Sequence, residues 1–531
     1  MHKLIRHKRW LVPVLTALVL LAVAAPAFAE DPDPVAMVND TNTALNIMWM
    51  LIGGFLVFFM QAGFALVETG YTRAKNVAHT MMMNMMVFCI GAVGYFATGF
   101  AFQFGAVNFT WPDINGLGAW AHSPVTLGAW VDAAGNALLA TPLIAFGQHG
   151  ILGGSGFFLS GMGASTGILA FFLFQMVFMD TAATIPTGSM AERLKFTGFV
   201  LMSLWVAMFI YPMVAGWVWG GGWIQNIGRT MGLGNGAVDF AGSGPVHMIG
   251  GAIALAGAIV IGPRIGRFNK DGSANAIPGH NIPMGILGTI ILFFGWFGFN
   301  PASSLGFIGG FGALATNAAV NTLLAGAFGG AAAMTYMWVV SPAKKPDPGL
   351  SVNGILAGLV AITAPCAFVD AISAAVIGII GGVLVCLVTV WLEKAKIDDA
   401  VGAVPVHFAN GIWGVIAVGL FANGNPNTVG WNGVPTAVTG LFFGGGFGQL
   451  GAQLIEAGAI AVAVTGLSYV FFLGVKAAGH LRSEVEHELQ GLDMPEMGAI
   501  GYPKDFEPST EVVREALKGA KAGAVVPAAG D

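Results

Sequence analysis

The chain has 531 residues, 56% of them hydrophobic and only 9% charged, with a formal net charge of −5. Soluble domains carry about 25% charged residues, so this composition excludes an ordinary soluble domain. The mildly acidic balance, without basic clusters, excludes a nucleic-acid partner, and the 79 glycines point to a polytopic membrane protein whose helices approach closely through small residues.

In chain order, residues 1–29 carry a basic head (MHKLIRHKRW), an apolar run and an Ala-Phe-Ala site. That pattern predicts a secretory signal peptide cut after Ala29 and excluded from the fold. Apolar stretches of about 20 residues, the length that crosses a hydrocarbon core, then recur at 43–66, 77–104, 163–187, 196–219, 239–262, 281–301, 315–340, 350–368, 371–392, 401–422 and 439–476. Lipid admits only helices and closed barrels, and these runs are too long for barrel strands. The expected fold is therefore an all-α polytopic membrane protein with eleven transmembrane helices. Its transmembrane domain spans 30–480, with a long extracytoplasmic loop over 105–161, and a tail over 481–531. The loop, rich in Gly, Trp and Ala and carrying His149, reads as a folded cap. The tail turns charged beyond Arg482, and residues past Ser509 are expected to be mobile.

Orientation follows from basic residues. Arg73 and Lys75, Arg193 and Lys195, Arg264, Arg267 and Lys270, Lys344 and Lys345, and Lys394 and Lys396 fall in alternate connections, while the intervening ones hold only Arg229. The positive-inside rule places the mature N-terminus outside and the tail in the cytoplasm, in the cell's inner membrane. Cys89, Cys366 and Cys386 are isolated in apolar stretches, without C-x-x-C spacing, and read as small core residues.

Two stretches, Asp239–His247 (DFAGSGPVH) and Asp399–His407 (DAVGAVPVH), share the pattern D-x-x-G-x-x-P-V-H. The first opens the fifth span, which runs inward, and the second opens the tenth, which runs outward. The same motif thus enters from opposite faces, the mark of two inverted five-helix repeats followed by an eleventh helix. At ~1.5 Å per residue each histidine lies roughly 12 Å beyond its aspartate. Two such descents into a core about 30 Å thick bring both imidazoles near the middle. Ionisable groups at that depth are functional candidates. Asp239 and Asp399 have a plainer role, capping helix N-termini and complementing the dipole.

Further segments stand in order along the chain: GFLVFFMQAGFALVETG (54–70), FQMVFMDTAATIPTGSMAER (174–193), WGGG (219–222), GWFGFNPASS (295–304), NGILAGLVAITAPCA (353–367) and GLDMPEMG (491–498). On these and the twin motif the chain resembles the ammonium transporter family (Amt/Mep/Rh), on its Amt side, over nearly all of 43–500. The resemblance implies a homotrimer with a separate pore in each subunit. It implies an outer ammonium recruitment site built by Trp219, Phe178 and Ser303 with Phe174 beside it, a stacked gate of Phe178 and Phe299, and a pore lined by His247, His407 and Trp296. No cofactor and no metal site is expected.

Helical spacing agrees independently. Phe174 and Phe178 are i and i+4, and Trp296, Phe299 and Ser303 are i, i+3 and i+7, so each set shares one face. Aromatic faces attract a small cation, worth about 2 kcal/mol or more once water is excluded, and a hydroxyl can accept an ammonium N–H. The narrow pore below makes a full charge expensive. Deprotonation at the outer site, with ammonia passing and the histidines relaying the proton, avoids that cost.

Several positions depart from the family pattern. Asp180 lies mid-span, two residues from Phe178, and is expected to face away from the pore. Glu456 is a second buried carboxyl without an evident partner. Ala400 stands where the family often has proline. Met497 replaces a usual histidine in the tail, which weakens the expectation of a PII-type signalling partner there. The leading reading is an ATP-independent ammonium transporter, since no Walker loop occurs. The alternatives are an ammonium sensor of the same fold and a bis-histidine haem protein; no nucleophile–base constellation supports an enzyme.

Overall fold

The computed structural model describes residues 34–105, 129–131, 137–139, 142–146, 149–154, 156–160, 166–308 and 310–502. The expected signal peptide and the tail beyond Ser509 lie outside the described residues. The principal helices are α1 (Pro34–Tyr71), α2 (Ala74–Phe104), α3 (Thr166–Met190), α4 (Phe196–Trp219), α5 (Ser243–Ile261), α6 (Ile282–Ala302), α7 (Phe311–Val339), α8 (Pro348–Thr363), α9 (Ala371–Lys394), α10 (Val404–Phe421) and α11 (Phe447–Ala477). Among the described residues, ten helices are long and apolar enough to cross a membrane.

The predicted span 350–368 is the exception. α8 has 16 residues, roughly 24 Å at ~1.5 Å per residue, and stops ahead of Pro365, which disfavours helix at the residue before it. Its last carbonyls are not left to lipid. Thr363 O and Ala364 O accept the N–H groups of Ala241 and Phe240 at 3.1 and 3.0 Å. A second correction concerns the last span, expected from 439, which begins at Phe447 because Gly444 and Gly446 take positive φ (88° and 66°). A third concerns the long loop. Two antiparallel strand pairs occur there, Ala129–Val131 with Ala137–Leu139 and Pro142–Phe146 with His149–Gly153, so the chain is not wholly α.

Glycine sets the helix spacing. α1 packs along α6, α7 against α8 and α9, α5 against α3 and α11, and α10 against α8 and α11. A Cβ on Gly288 of α6 would lie 2.6 Å from Gly63 O of α1, and one on Gly382 of α9 would lie 2.1 Å from Gly329 O of α7. Backbones in contact gain dispersion and leave no gap, which is how apolar helices associate in lipid without a hydrophobic drive.

The basic connections gather at one end of the bundle, hereafter the basic end. Arg264 holds Asp398 bidentately (Nε and Nη2 to Oδ2 and Oδ1, both 2.9 Å) and reaches Glu192 at 3.2 Å. Glu192 also pairs with Arg73, and Arg193 Nη2 donates to Asp398 O at 2.6 Å. The tail helix Val485–Gln490 docks on the same end: Lys75 Nζ donates to Leu489 O at 2.7 Å, and His79 N to Asp493 Oδ1 at 2.9 Å. Burial pushes the Asp398 carboxyl up, but Arg264 and Arg193 hold it well below its ordinary 3.8. A depressed carboxyl stabilises the fold above its ordinary value and loses that contribution as the pH falls through its depressed one. Asp398→Asn breaks a buried pair and leaves Arg264 with Glu192 as its one remaining carboxylate partner among the described residues, so we expect it to cost about 3 kcal/mol. Thermal melts in detergent should show the drop at about pH 7 and retain most of it at about pH 3, because the contribution fades only as the pH falls through the depressed folded-state value; equal melting points at pH 7 would refute the assignment.

Candidate functional site

Both copies of the motif fold alike. Asp239 Oδ1 and Oδ2 accept from Gly242 N and Gly244 N, and Asp399 Oδ1 and Oδ2 accept from Gly402 N and Val404 N. The motif glycine turns the chain in each, with φ of 110° at Gly242 and 84° at Gly402; a residue with Cβ would be strained there. The expected regular descent from aspartate to histidine needs correction. Residues 239–242 are not helical, and the segments Ser243–Met248 and Val404–Ala409 are π-wound. Pro245 and Pro405 sit inside these segments, each removing one amide donor, and such π-bulges concentrate at functional sites.

These turns deliver the two histidines to each other. His247 Nδ1 and His407 Nδ1 are 3.2 Å apart, with ring centroids at 5.3 Å and planes 25° apart. One ring must donate and the other accept. His247 Nε2 has no partner among the described residues, so either tautomer leaves one ring nitrogen of His247 free to meet a small molecule. An iron held between two ring nitrogens would need them about 4 Å apart, twice a metal–nitrogen bond; these are in direct contact.

Above the pair stand the aromatics. His247 stacks on Trp296 (5.2 Å) and Phe299 (5.4 Å). Phe299 stacks on Phe178 at 4.1 Å and 23°, and Phe178 meets Phe174 at 4.6 Å and Trp219 at 6.2 Å. Trp296 Nε1 donates to Thr363 Oγ1 at 3.0 Å and Trp219 Nε1 to Asp239 O at 2.8 Å, which fixes both rings. Ser303 Oγ donates to Phe299 O at 2.8 Å, leaving its lone pairs as acceptors.

Two cavities flank this column. The one away from the basic end is lined by Phe174, Phe178, Trp219 and Ser303 together with Phe104, Gln175, Phe240, Leu305, Trp431 and Asn432. The one toward the basic end is lined by His407, Phe64, Glu68, Asn353, Val401 and neighbours. The sequence-predicted recruitment, gate and pore residues therefore fall in one column from cavity to cavity, while Asp239 and Asp399 stand beside it, capping the motif turns. Sequence reasoning missed Trp431, whose Nε1 donates to Ser303 O at 3.0 Å, because it lies in a glycine-rich loop without periodicity. It also missed Glu68 and Asn353. Asp180 lines neither cavity, and its Oδ1 has no partner among the described residues. Glu456 Oε2 accepts from Gln453 Nε2 at 3.1 Å, which supplies the partner the sequence did not show.

Comparison with known proteins places the chain among its relatives. The family model described as Ammonium Transporter Family matches residues 48–502. The chain is 40% identical over 500 residues to ammonium transporter Amt2 of Archaeoglobus fulgidus, covering 94% of this chain and 97% of that protein. It is 33% identical to ammonium transporter 1 member 3 of Solanum lycopersicum, covering 88% and 95%. Among solved structures it is similar to a sensor Amt protein (TM-score 0.69, 32% identity, 86% and 99% covered) and to Mep2 of Candida albicans (TM-score 0.67, 25% identity, 88% and 92% covered).

Proposed function

The chain belongs to the ammonium transporter family, and from that premise we propose that it recruits ammonium at the aromatic cavity, deprotonates it there, and passes ammonia between Phe178 and Phe299 to the twin histidines. The contact between His247 and His407, buried and in line with both cavities, is the observation that carries this reading. Trp219, Phe178 and Phe174 offer ring faces to a cation, and Ser303 accepts one ammonium N–H. Below them the column is apolar except for the imidazoles. A cation that gives up its proton passes the gate without its desolvation cost. The proton goes to Nε2 of His247, unpaired among the described residues, and His247 in turn yields its Nδ1 proton to His407 Nδ1 across the 3.2 Å contact. Net transport is then electrogenic.

The architecture we assign is eleven transmembrane helices in two inverted five-helix repeats plus α11. Helix pairs that recur in both halves support it: α1 with α3 and α6 with α8, α3 with α5 and α8 with α10. The basic end is assigned to the cytoplasm, so the aromatic cavity opens outside, in accord with the positive-inside rule. The homotrimer and a PII-type contact at the tail rest on the family resemblance alone.

Ammonium-evoked current from reconstituted protein on a solid-supported membrane tests the proposal; no current in folded protein would leave an ammonia channel without a relay. Removing the Ser303 hydroxyl deletes about 1 kcal/mol of hydrogen bonding, so Ser303→Ala is expected to raise the half-saturating ammonium concentration about fivefold with little change in maximal current. An unchanged half-saturation would remove Ser303 from the site. A second reading, an ammonium sensor that conducts poorly, is favoured by the likeness to the sensor Amt protein over 99% of that chain. Growth of a transport-deficient host on low ammonium separates the two.

A further inference from the structure

Glu68, near the basic end of α1, is a buried carboxyl that the pathway above leaves unused. Its exposure is 2%, and it lines the inner cavity with His407 and Asn353. Thr187 Oγ1 lies 2.9 Å from both its oxygens, and Asn84 Nδ2 donates to Oε2 at 2.8 Å. Asn84 is itself held in place: Gln61 Nε2 donates to Asn84 O at 2.5 Å and to Thr184 Oγ1 at 2.8 Å. A Cβ on Gly188 would come 3.1 Å from Glu68 Oε1, so the glycine lets α3 close over the carboxyl.

These hydrogen-bond partners are all neutral, and the charged group that bears on Glu68, Asp399, is itself acidic. A buried carboxylate supported only by neutral donors is not compensated. It must hold a proton or meet a cation, and the open space it faces is the cavity beyond His407. Asn353 Nδ2 donates to Val401 O at 3.2 Å, which leaves the amide oxygen as a second acceptor on the same wall.

We infer that the inner cavity is a second ammonium station, in which the Glu68 carboxylate and the Asn353 amide oxygen hold the ammonium ion re-formed at the cytoplasmic end of the pore. This rests on the pore reading above. Ammonia leaving the histidine pair takes a proton from the His407 imidazolium. Its nitrogen lone pair forms the new N–H bond as the imidazole N–H bond breaks, and His407 returns to the neutral state. That proton is the one removed from ammonium at the outer site and carried through the pair, so charge and protons balance. The carboxylate stabilises the product cation and thereby draws the proton across; without it, ammonia leaves uncharged and the relay stalls.

The test uses full-length protein in proteoliposomes, with two readouts: ammonium-evoked current, and vesicle alkalinisation by ammonia in stopped flow. Glu68→Gln keeps size and hydrogen bonding but not charge. It is expected to lower the current at least about tenfold while its melting temperature and ammonia flux stay near wild type. A folded Glu68→Gln protein with wild-type current overturns the station, and so does one that loses ammonia flux equally, because that marks a structural role. Glu68→Asp keeps a carboxyl on the wall and serves if the Gln variant does not fold. It should retain at least about a third of the current, and a folded Asp variant below a tenth overturns the proposal. His247→Ala is the control that separates the two claims. If it conducts like wild type, the pore reading fails and takes this inference with it; if it does not, the Glu68 result stands alone.

Discussion

Replacing His247 by alanine is expected to lower ammonium-evoked current at least about a hundredfold, the low end of what a positioned proton-transfer group contributes. The ring is fully buried and packed against Trp296 and Phe299, with Nδ1 on His407 and Nε2 unpaired among the described residues. It is therefore the first polar group that ammonia meets below the gate. Deleting it leaves an apolar gap and a His407 without its partner, so the proton loses its route while the passage stays open. The signature is dissociation of the two fluxes: charge transfer falls and uncharged ammonia still collapses a vesicle pH gradient. His407→Ala should behave alike. Wild-type current in folded His247→Ala protein would remove the imidazole from the relay.

Gly251→Val is expected to be as damaging without touching substrate. Gly251 of α5 lies against the backbone of α10 one residue past His407. A Cβ there would stand 2.3 Å from Phe408 N and 2.7 Å from its Cα. Reaching 3.0 Å requires the helices to part by about 0.7 Å, which is the cost of overpacking, about 1–3 kcal/mol or more. Where that displacement reaches the twin rings, it stretches the 3.2 Å contact to about 3.9 Å, beyond hydrogen-bond range. The variant should melt lower and, where folded, conduct like the histidine variants. Wild-type melting and current together would show that α5 and α10 tolerate separation and that the contact does not depend on this crossing.

Much of this column is legible in the chain because its parts are local. The spacing of Phe174 and Phe178, or of Trp296, Phe299 and Ser303, obeys the helical period, and the twin motif repeats in plain letters. Trp431 is not legible, since it reaches Ser303 from a glycine-rich loop with no period. Nor is Glu68: in the sequence it is one carboxyl among apolar neighbours, and only the approach of α3 and α10 gives it Thr187 on one side and the His407 cavity on the other. The end of α8 is illegible for a related reason. Apolar residues continue to Phe368, but the chain leaves the helix at Pro365, and its carbonyls are satisfied by the loop of the first motif.

The sequence by itself determined the membrane-spanning class, the family, and which aromatic and imidazole side chains share a helix face, because hydrophobic length, helical period and motif order are properties of neighbouring residues. The tertiary structure decided that the motif winds as π-helix rather than α, that the two Nδ1 atoms touch, and that a carboxyl waits beyond them. Those facts depend on how closely glycine-lined helices approach and on where their turns aim the backbone, and no single stretch of chain contains both sides of such a contact.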